Sequence, residues 1–279
     1  MTHRGKFEPL KNVLLYAVLI CGAISALFPF YWMLSSSLKM SNEIFVHPPV
    51  LVPSKLSLEH YIYVFQTMNV PRSLFNSAFT TIAIVLLNAF LSGMVAYALT
   101  KLRFPGRNAL FGLVLAFMMI PFQLMLVPLF LLVNNMGLLG TYTAIILPSA
   151  ISSFSIFLLR QAMMSLPNDY IEAAIIDGSS HFNIFCKIAL PMVKPMLMTV
   201  MITNYMWAWN NYLWPMMVTV QNDHMQTMQV ALNRYRTLND NKWGPVMASC
   251  TMTALPIVIV YLCLQRQFIE SVASSGLKG

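Results

Sequence analysis

Residues 172–191 read EAAIIDGSSHFNIFCKIALP, and this run stands between two long apolar stretches, 142–164 and 197–219. Its pattern is that of two short helices joined by a turn. Asn168 or Asp169 is placed to cap the first helix, and Asp169-x-x-Glu172 has capping-box spacing. Ile171, Ala174 and Ile175 fall at i, i+3 and i+4 and form a small apolar face. Gly178 supplies the left-handed residue that ends a helix. Ser179 or Ser180 then caps a second helix in which Phe182, Phe185 and Ile188 share a face, and Pro191 closes it. An apolar face on short helices outside the spans has to be buried. On spacing alone, a partner protein and a lipid surface serve equally.

Outward from this run the chain is apolar. Of its 279 residues 58% are hydrophobic and 9% charged, with a mean hydropathy of +0.66. Soluble domains carry about 25% charged residues, so the bilayer is the expected solvent. A spanning helix needs about 20 apolar residues. Six stretches qualify: 12–34, 74–99, 109–133, 142–164, 197–219 and 246–265. The expected fold is one all-α integral membrane domain over 1–279, with segments at 35–73 and 221–244 on one side and a loop at 165–194 on the other. His47-Pro48-Pro49 and Pro53 make the first of these segments extended, because proline removes donors and restricts its predecessor. Leu56–Phe65 is expected to form a short interfacial helix.

The net charge of +8 is read as a topology signal. With the N-terminus inside, Arg4, Lys6, Lys11, Lys101, Arg103, Arg107, Arg160, Lys187, Lys194, Arg266 and Lys278 face inward. Lys39, Lys55, Arg72, Arg234, Arg236 and Lys242 face outward. That is 11 against 6, in the sense of the positive-inside rule. No basic stripe interleaved with aromatics points to nucleic acid. The first apolar run is too long for a signal peptide and shows no small-residue cleavage site. Cys21, Cys186, Cys250 and Cys263 have no metal spacing and are read as packing residues. No Asp, Glu, Arg or His is read in the middle of a span, which weakens a secondary carrier driven by protons or sodium. Pro29, Pro121, Pro128, Pro148, Pro215 and Pro256 lie in or beside spans, as kinks or as points of flexure.

The quoted run resembles the EAA loop of the membrane subunits of binding-protein-dependent ABC importers. The likeness is carried by Glu172-Ala173-Ala174, Gly178 and Ile188-x-Leu190-Pro191, with Asp177 as in sugar-type members. It extends to Asn76 and Ser77, Ala96-Tyr97-Ala98-Leu99, Lys101–Gly106, Pro128-Leu129-Phe130, Leu147-Pro148 and Trp209–Pro215. The C-terminal Gly276-Leu277-Lys278-Gly279 is similar as well. Ser179-Ser180 departs from the small Ala-Thr or Ala-Ser pair common there. The resemblance implies the type I importer permease fold, with six spans and both termini cytoplasmic, in a bacterial inner membrane. It implies that Glu172, Ala173, Ala174, Asp177, Gly178, Phe182, Phe185, Ile188, Leu190 and Pro191 couple to an ATPase. The implied partners are a second permease, two ATPase subunits, an external substrate-binding protein and membrane lipid. ATP and Mg would be bound by the ATPases and no cofactor by this chain, which has no phosphate loop.

Asn204, Trp207, Asn210 and Asn211 are candidates for a translocation path, because aromatic faces and amides suit sugars. Helix glue and interface anchoring remain the bland alternatives for them, as they do for Asn88 and Gln123. The cargo expected is a carbohydrate, with glycerol-3-phosphate or a glycerophosphodiester as the alternative. Glu172 and Asp177 as catalytic carboxylates are disfavoured: five residues apart, they share no helix face.

Overall fold

A computed structural model describes residues 8–239 and 241–276, with the backbone alone for 8–10, 264 and 266–276. Expectations placed on Arg4, Lys6 and residues 277–279 lie outside the described residues. The regular secondary structure of the chain is helical, with no strand among the described residues. In order it forms α1 (Glu8–Ser37), α2 (Glu59–Thr67), α3 (Val70–Lys101), α4 (Arg107–Met118) and α5 (Phe122–Asn135). There follow α6 (Tyr142–Ser149), α7 (Ser153–Met164), α8 (Asp169–Ile176) and α9 (His181–Met192). The remainder is α10 (Lys194–Asn210), α11 (Leu213–Val218), α12 (Met228–Leu238) and α13 (Trp243–Gly276).

Among the described residues three helical stretches are long and apolar enough to cross a membrane: Lys11–Ser37, Val70–Lys101 and Trp243–Cys263. Three helix pairs qualify only together, because each is bent: α4 with α5 by 102°, α6 with α7 by 44°, and α9 with α10 by 85°. Counting each pair as one gives up to six spans. The third expected span, 109–133, is therefore not one rod. It breaks at Met119–Pro121, where Pro121 stands in an extended conformation. The fourth breaks after the turn containing Pro148. The fifth, expected over 197–219, stops at Asn210, and α11 begins afresh at Leu213.

The helices pack as two compact units, one of residues 1–69 with 232–255 and the other of 70–231 with 256–279. In the first, α1 buries nothing over its most apolar stretch, a surface that hydrocarbon accepts. The segment after it is non-helical around the prolines, and the expected interfacial helix appears as α2. Here His60 lies directly on Gly244, where no side chain fits.

The second unit is built on α3. Its interior face reads Ser73, Ser77, Thr80, Ile84, Asn88, Ser92 and Ala96, all buried. Phe75, Phe79, Ile82, Leu86 and Phe90 point outward and are exposed. This reverses the soluble pattern. In lipid the bulky apolar groups need no shelter, whereas small and hydroxyl-bearing residues let helices approach closely and bond. Asn76 joins this face to distant chain: its Nδ2 donates to the carbonyls of His224 (2.8 Å) and Gln226 (2.9 Å), and its Oδ1 accepts from the Tyr142 hydroxyl (2.7 Å). Ser77 Oγ accepts the Met228 N–H at 2.7 Å.

Candidate functional site

The 169–192 segment folds as two short helices and a turn. The capping box does not form: Asn168 makes no side-chain bond to the start of α8. Its Oδ1 instead accepts from Lys101 Nζ at 2.8 Å, and that ammonium also donates to the Leu166 carbonyl at 2.7 Å. The end of α3 thus staples the loop that leads into α8. At the other end of α8, Gly178 has φ +79°. Its N–H reaches the Ile175 carbonyl at 3.0 Å, and the Ser179 N–H reaches that of Ala174 at 2.9 Å. These two bonds make a Schellman motif. Ser180 caps α9, accepting the Asn183 N–H at 3.3 Å.

α9 contains a π-helical turn at Phe185–Ala189 and runs through Pro191. Pro191 therefore does not close the segment. Proline is tolerated in the first turn after such an irregularity, and the break falls at Val193 (φ −97°, ψ 18°), before Pro195 opens α10.

Burial divides the candidate coupling residues into two sets. Ile171, Ala174, Ile184, Phe185, Ala189 and Val193 share one buried core with Ala96 and Tyr97 of α3 and Leu159 and Met163 of α7. The Phe185 ring is 2% exposed, with centroids 5.8 Å from Phe90 and 5.7 Å from Tyr97. A Cβ on Gly93 would meet Phe185 and Leu190 at 3.4 Å, so the segment lies hard against α3. The Tyr97 hydroxyl and His181 Nδ1 are 3.3 Å apart. Ile188 and Leu190 are half-buried. Glu172, Ala173, Asp177, Gly178, Phe182 and Pro191 are exposed.

Ile175, expected to share one apolar face with Ile171 and Ala174, is exposed while those two are buried within this chain, and Ile176 beside it is 85% exposed. The 100° step of a helix lets only Ile171 and Ala174 face the core. The outward side of α8 therefore presents two isoleucines flanked by Glu172 and Asp177. The packing ties the segment to α3 as well as to α7.

A second feature of this unit is a cavity of about 560 Å³ at the breaks of the α4–α5 and α6–α7 pairs. Asn204 and Trp207 line it; Asn210 and Asn211 do not. Asn210 donates to the Met206 carbonyl (2.8 Å) and accepts from Gln229 (3.3 Å), while Asn211 Oδ1 accepts the Trp214 N–H (3.4 Å). Asn204 Nδ2 donates to Ser155 Oγ at 3.0 Å and to the Val200 carbonyl at 2.8 Å. Phe122 meets Trp207 edge-on, centroids 6.1 Å apart.

Asn88, fully buried, donates to the Ser149 carbonyl at 3.2 Å, and the Ser152 N–H donates to Ser92 Oγ at 3.3 Å. Ser149, Ser152, Ser153 and Thr203 also line the cavity and were missed from sequence. The available signal was Ser152-Ser153 following Pro148 in an otherwise apolar stretch. Trp214 is an anchor instead: fully buried, it donates to the Ala144 carbonyl at 2.9 Å. Arg160, counted with the loop charges, lies in α7 with its guanidinium carbon 3.7 Å from the Phe111 ring centroid.

With this architecture in view, comparison with known proteins is decisive. The family described as binding-protein-dependent transport system inner membrane component matches residues 89–274. The chain belongs to that family. It is a permease subunit, the non-catalytic membrane component of an ABC importer. It is 37% identical to the arabinooligosaccharides transport system permease protein AraQ of Halalkalibacterium halodurans, covering 99% of this chain and 100% of that one. It is 31% identical to the diacetylchitobiose uptake system permease protein NgcG of Streptomyces coelicolor (94% and 88% covered). The sn-glycerol-3-phosphate transport system permease protein UgpE of Escherichia coli O1:K1 is also 31% identical (96% and 98%).

Among solved structures, a bacterial ABC transporter involved in import of the acidic polysaccharide alginate has a chain that superposes with TM-score 0.84. The match is at 24% identity over 95% of this chain and 99% of that one. A second alginate transporter structure, in complex with an alginate pentasaccharide-bound periplasmic protein, matches with TM-score 0.63 at 15% identity, covering 94% and 98%. Both show the fold, that of a type I importer permease.

Proposed function

We propose that this permease subunit forms half of the translocation pathway of an ATP-driven carbohydrate importer, as one functional domain over 1–279. In this reading it sits in a bacterial inner membrane with both termini cytoplasmic, and the 169–192 segment seats in a cleft of an ATPase subunit. A second, homologous permease supplies the other half of the path. Two ATPases bind ATP and Mg, and an external binding protein delivers the sugar. The observation that carries the reading is the two-sided build of the 169–192 segment. One face is locked by Phe185 and Ala174 into the core of α3 and α7, and the other exposes Glu172, Ile175, Ile176 and Asp177.

Two exposed isoleucines on a short helix outside the spans call for an apolar partner. The rigid inner face passes displacement of that helix into α3, the helix that also carries Asn88 of the cavity lining. ATP-driven closure of the ATPases would turn the cavity outward, and hydrolysis would reset it. Names of relatives that carry arabinooligosaccharides and diacetylchitobiose support a carbohydrate.

The test is co-purification in mild detergent, wild type against a chain with 172–191 replaced by a Gly/Ser linker. An ATPase retained by wild type and lost from the linker chain supports the reading. An ATPase bound equally by both removes the coupling role of the segment, and its absence from both removes the importer reading.

A further inference from the structure

We infer that the cavity between α3, the α4–α5 break, the α6–α7 break and α10 is a saccharide subsite contributed by this subunit, and that it takes an uncharged sugar ring. The inference rests on the reading above and adds to it which permease half meets cargo, through which residues, and with what charge.

The cavity's volume of about 560 Å³ lies within the roughly 300–1,000 Å³ of small-molecule sites. Its position matters as much. It lies where two helix pairs break, and non-helical backbone inside a membrane is tolerated where it lines a cavity or is buried in protein. One wall is aromatic, with Trp207 and Phe122 meeting edge-on; apolar ring faces suit the C–H face of a sugar. The polar groups of the lining are amides and hydroxyls, among them Ser153, Thr203 and Asn204, the last one helical turn from Trp207.

Asn88 supplies the sharpest sign. Its Nδ2 is used by the Ser149 carbonyl, which fixes the amide orientation, while its Oδ1 is buried without a partner. A buried acceptor left unpaired is costly, and a donor entering the cavity relieves it. A sugar hydroxyl is such a donor. A phosphate or carboxylate is not, since it only accepts.

Charge then narrows the class. Among the described residues lining the cavity there is no Lys, Arg or His. An anion held against this wall would lose water with no cation of this subunit to pair it, which is costly. Sulfate-, phosphate- or uronate-bearing cargo is thereby disfavoured, including the glycerol phosphate that one relative's name specifies. An uncharged saccharide is what the wall accommodates.

The experiment uses the full importer, with its own ATPases and binding protein, reconstituted in proteoliposomes. Radiolabelled arabinotriose and maltotriose are the neutral probes, and trigalacturonate and sn-glycerol-3-phosphate the anionic ones. Four chains are compared: wild type, Asn88→Leu, Ser153→Ala and Trp207→Ala. ATPase co-purification and basal ATP hydrolysis are measured alongside uptake.

The expected result is uptake of at least one neutral probe by wild type and of neither anion. The half-saturating concentration should rise roughly tenfold in Trp207→Ala and severalfold in Asn88→Leu and Ser153→Ala, with ATPase association unchanged. Ser153 makes the series robust, since loss of one half-buried hydroxyl does not threaten folding. Neutral uptake unaltered in all three variants overturns the subsite while leaving the importer reading intact. Wild-type uptake of an anionic probe overturns the charge assignment. Absence of a bound ATPase overturns the function itself.

Discussion

Substitution of Gly178 isolates what the turn between α8 and α9 contributes. Its φ of +79° lies in the left-handed region, and a Cβ added there meets nothing within 4 Å in this chain. Any effect inside the subunit is therefore conformational rather than steric. An L-residue in that region costs roughly 1–2 kcal/mol, least for Asn and most for a β-branched residue. One to two kcal/mol is about a 5- to 30-fold change in the fraction of chains holding the Schellman turn. Gly178→Asn should then behave nearly as wild type, and Gly178→Ala should lose about fivefold. Gly178→Val should lose most of the coupled activity while still inserting in the membrane. The assay is substrate-stimulated ATP hydrolysis by the reconstituted importer, with co-purified ATPase quantified in parallel. Equal loss in Asn, Ala and Val would refute the conformational argument, because it would mean that a partner surface touches the glycine itself. Wild-type activity in Val would sink the turn's role altogether.

Four other outcomes are expected. Phe185→Ala removes a ring buried against Phe90, Tyr97 and Gly93 and should cost about 3–5 kcal/mol locally; faster hydrogen exchange over 181–193, spared in Phe185→Leu, is the readout. Asn76→Asp replaces the two donors that serve the carbonyls of His224 and Gln226 by an acceptor; the His224 carbonyl keeps its bond from Arg72 Nε at 3.2 Å, so the loss is about 1–3 kcal/mol at the Gln226 carbonyl, read as a lowered thermal midpoint in detergent. Gly244→Ala places a Cβ inside the His60 ring; His60→Ala added to it should restore the thermal midpoint by clearing that space, and additive losses would contradict the contact. Lys39 is fully buried, its Nζ 4.1 Å from the Trp32 ring centroid with no hydrogen-bond partner. Burial pushes its pKa below the ordinary 10.5, and Glu43 offsets part of that. Between the lowered folded value and 10.5 the unfolded chain binds more protons, so stability rises with pH through that window. Lys39→Met should flatten this rise in thermal melts from neutral pH upward, and an unchanged slope would assign it to another group.

Much of the architecture was written in local sequence, because hydrocarbon selects on length and polarity alone. A helix that must cross lipid announces itself as an apolar run, and Val70–Lys101 and Trp243–Cys263 correspond to runs plain in the sequence. The left-handed Gly178 and the Ser180 cap are likewise decided within a few residues, by the backbone freedom of glycine and the reach of a hydroxyl. What the local pattern could not decide were outcomes of competition with distant chain. Asn168 had the chemistry of a cap, yet Lys101, remote in sequence and near in space, took its oxygen.

The helix breaks belong to the same class. Pro121 and Pro148 mark possible bends, but a break at membrane depth persists only where other helices satisfy the freed backbone, as Ser92 does for the Ser152 N–H. Which asparagines face the cavity was equally undecidable from periodicity. Asn204 and Asn210, six residues apart, point about 120° from one another around α10, and the oxygen of the second is taken by Gln229. By itself the sequence determined the membrane as solvent, the helical class, the family and the turn at Gly178. Only the tertiary structure decided which face of the 169–192 segment is locked to α3 and which polar groups converge on one cavity. Those choices rest on hydrogen bonds and packing between residues far apart in the chain, whose energies no local window contains.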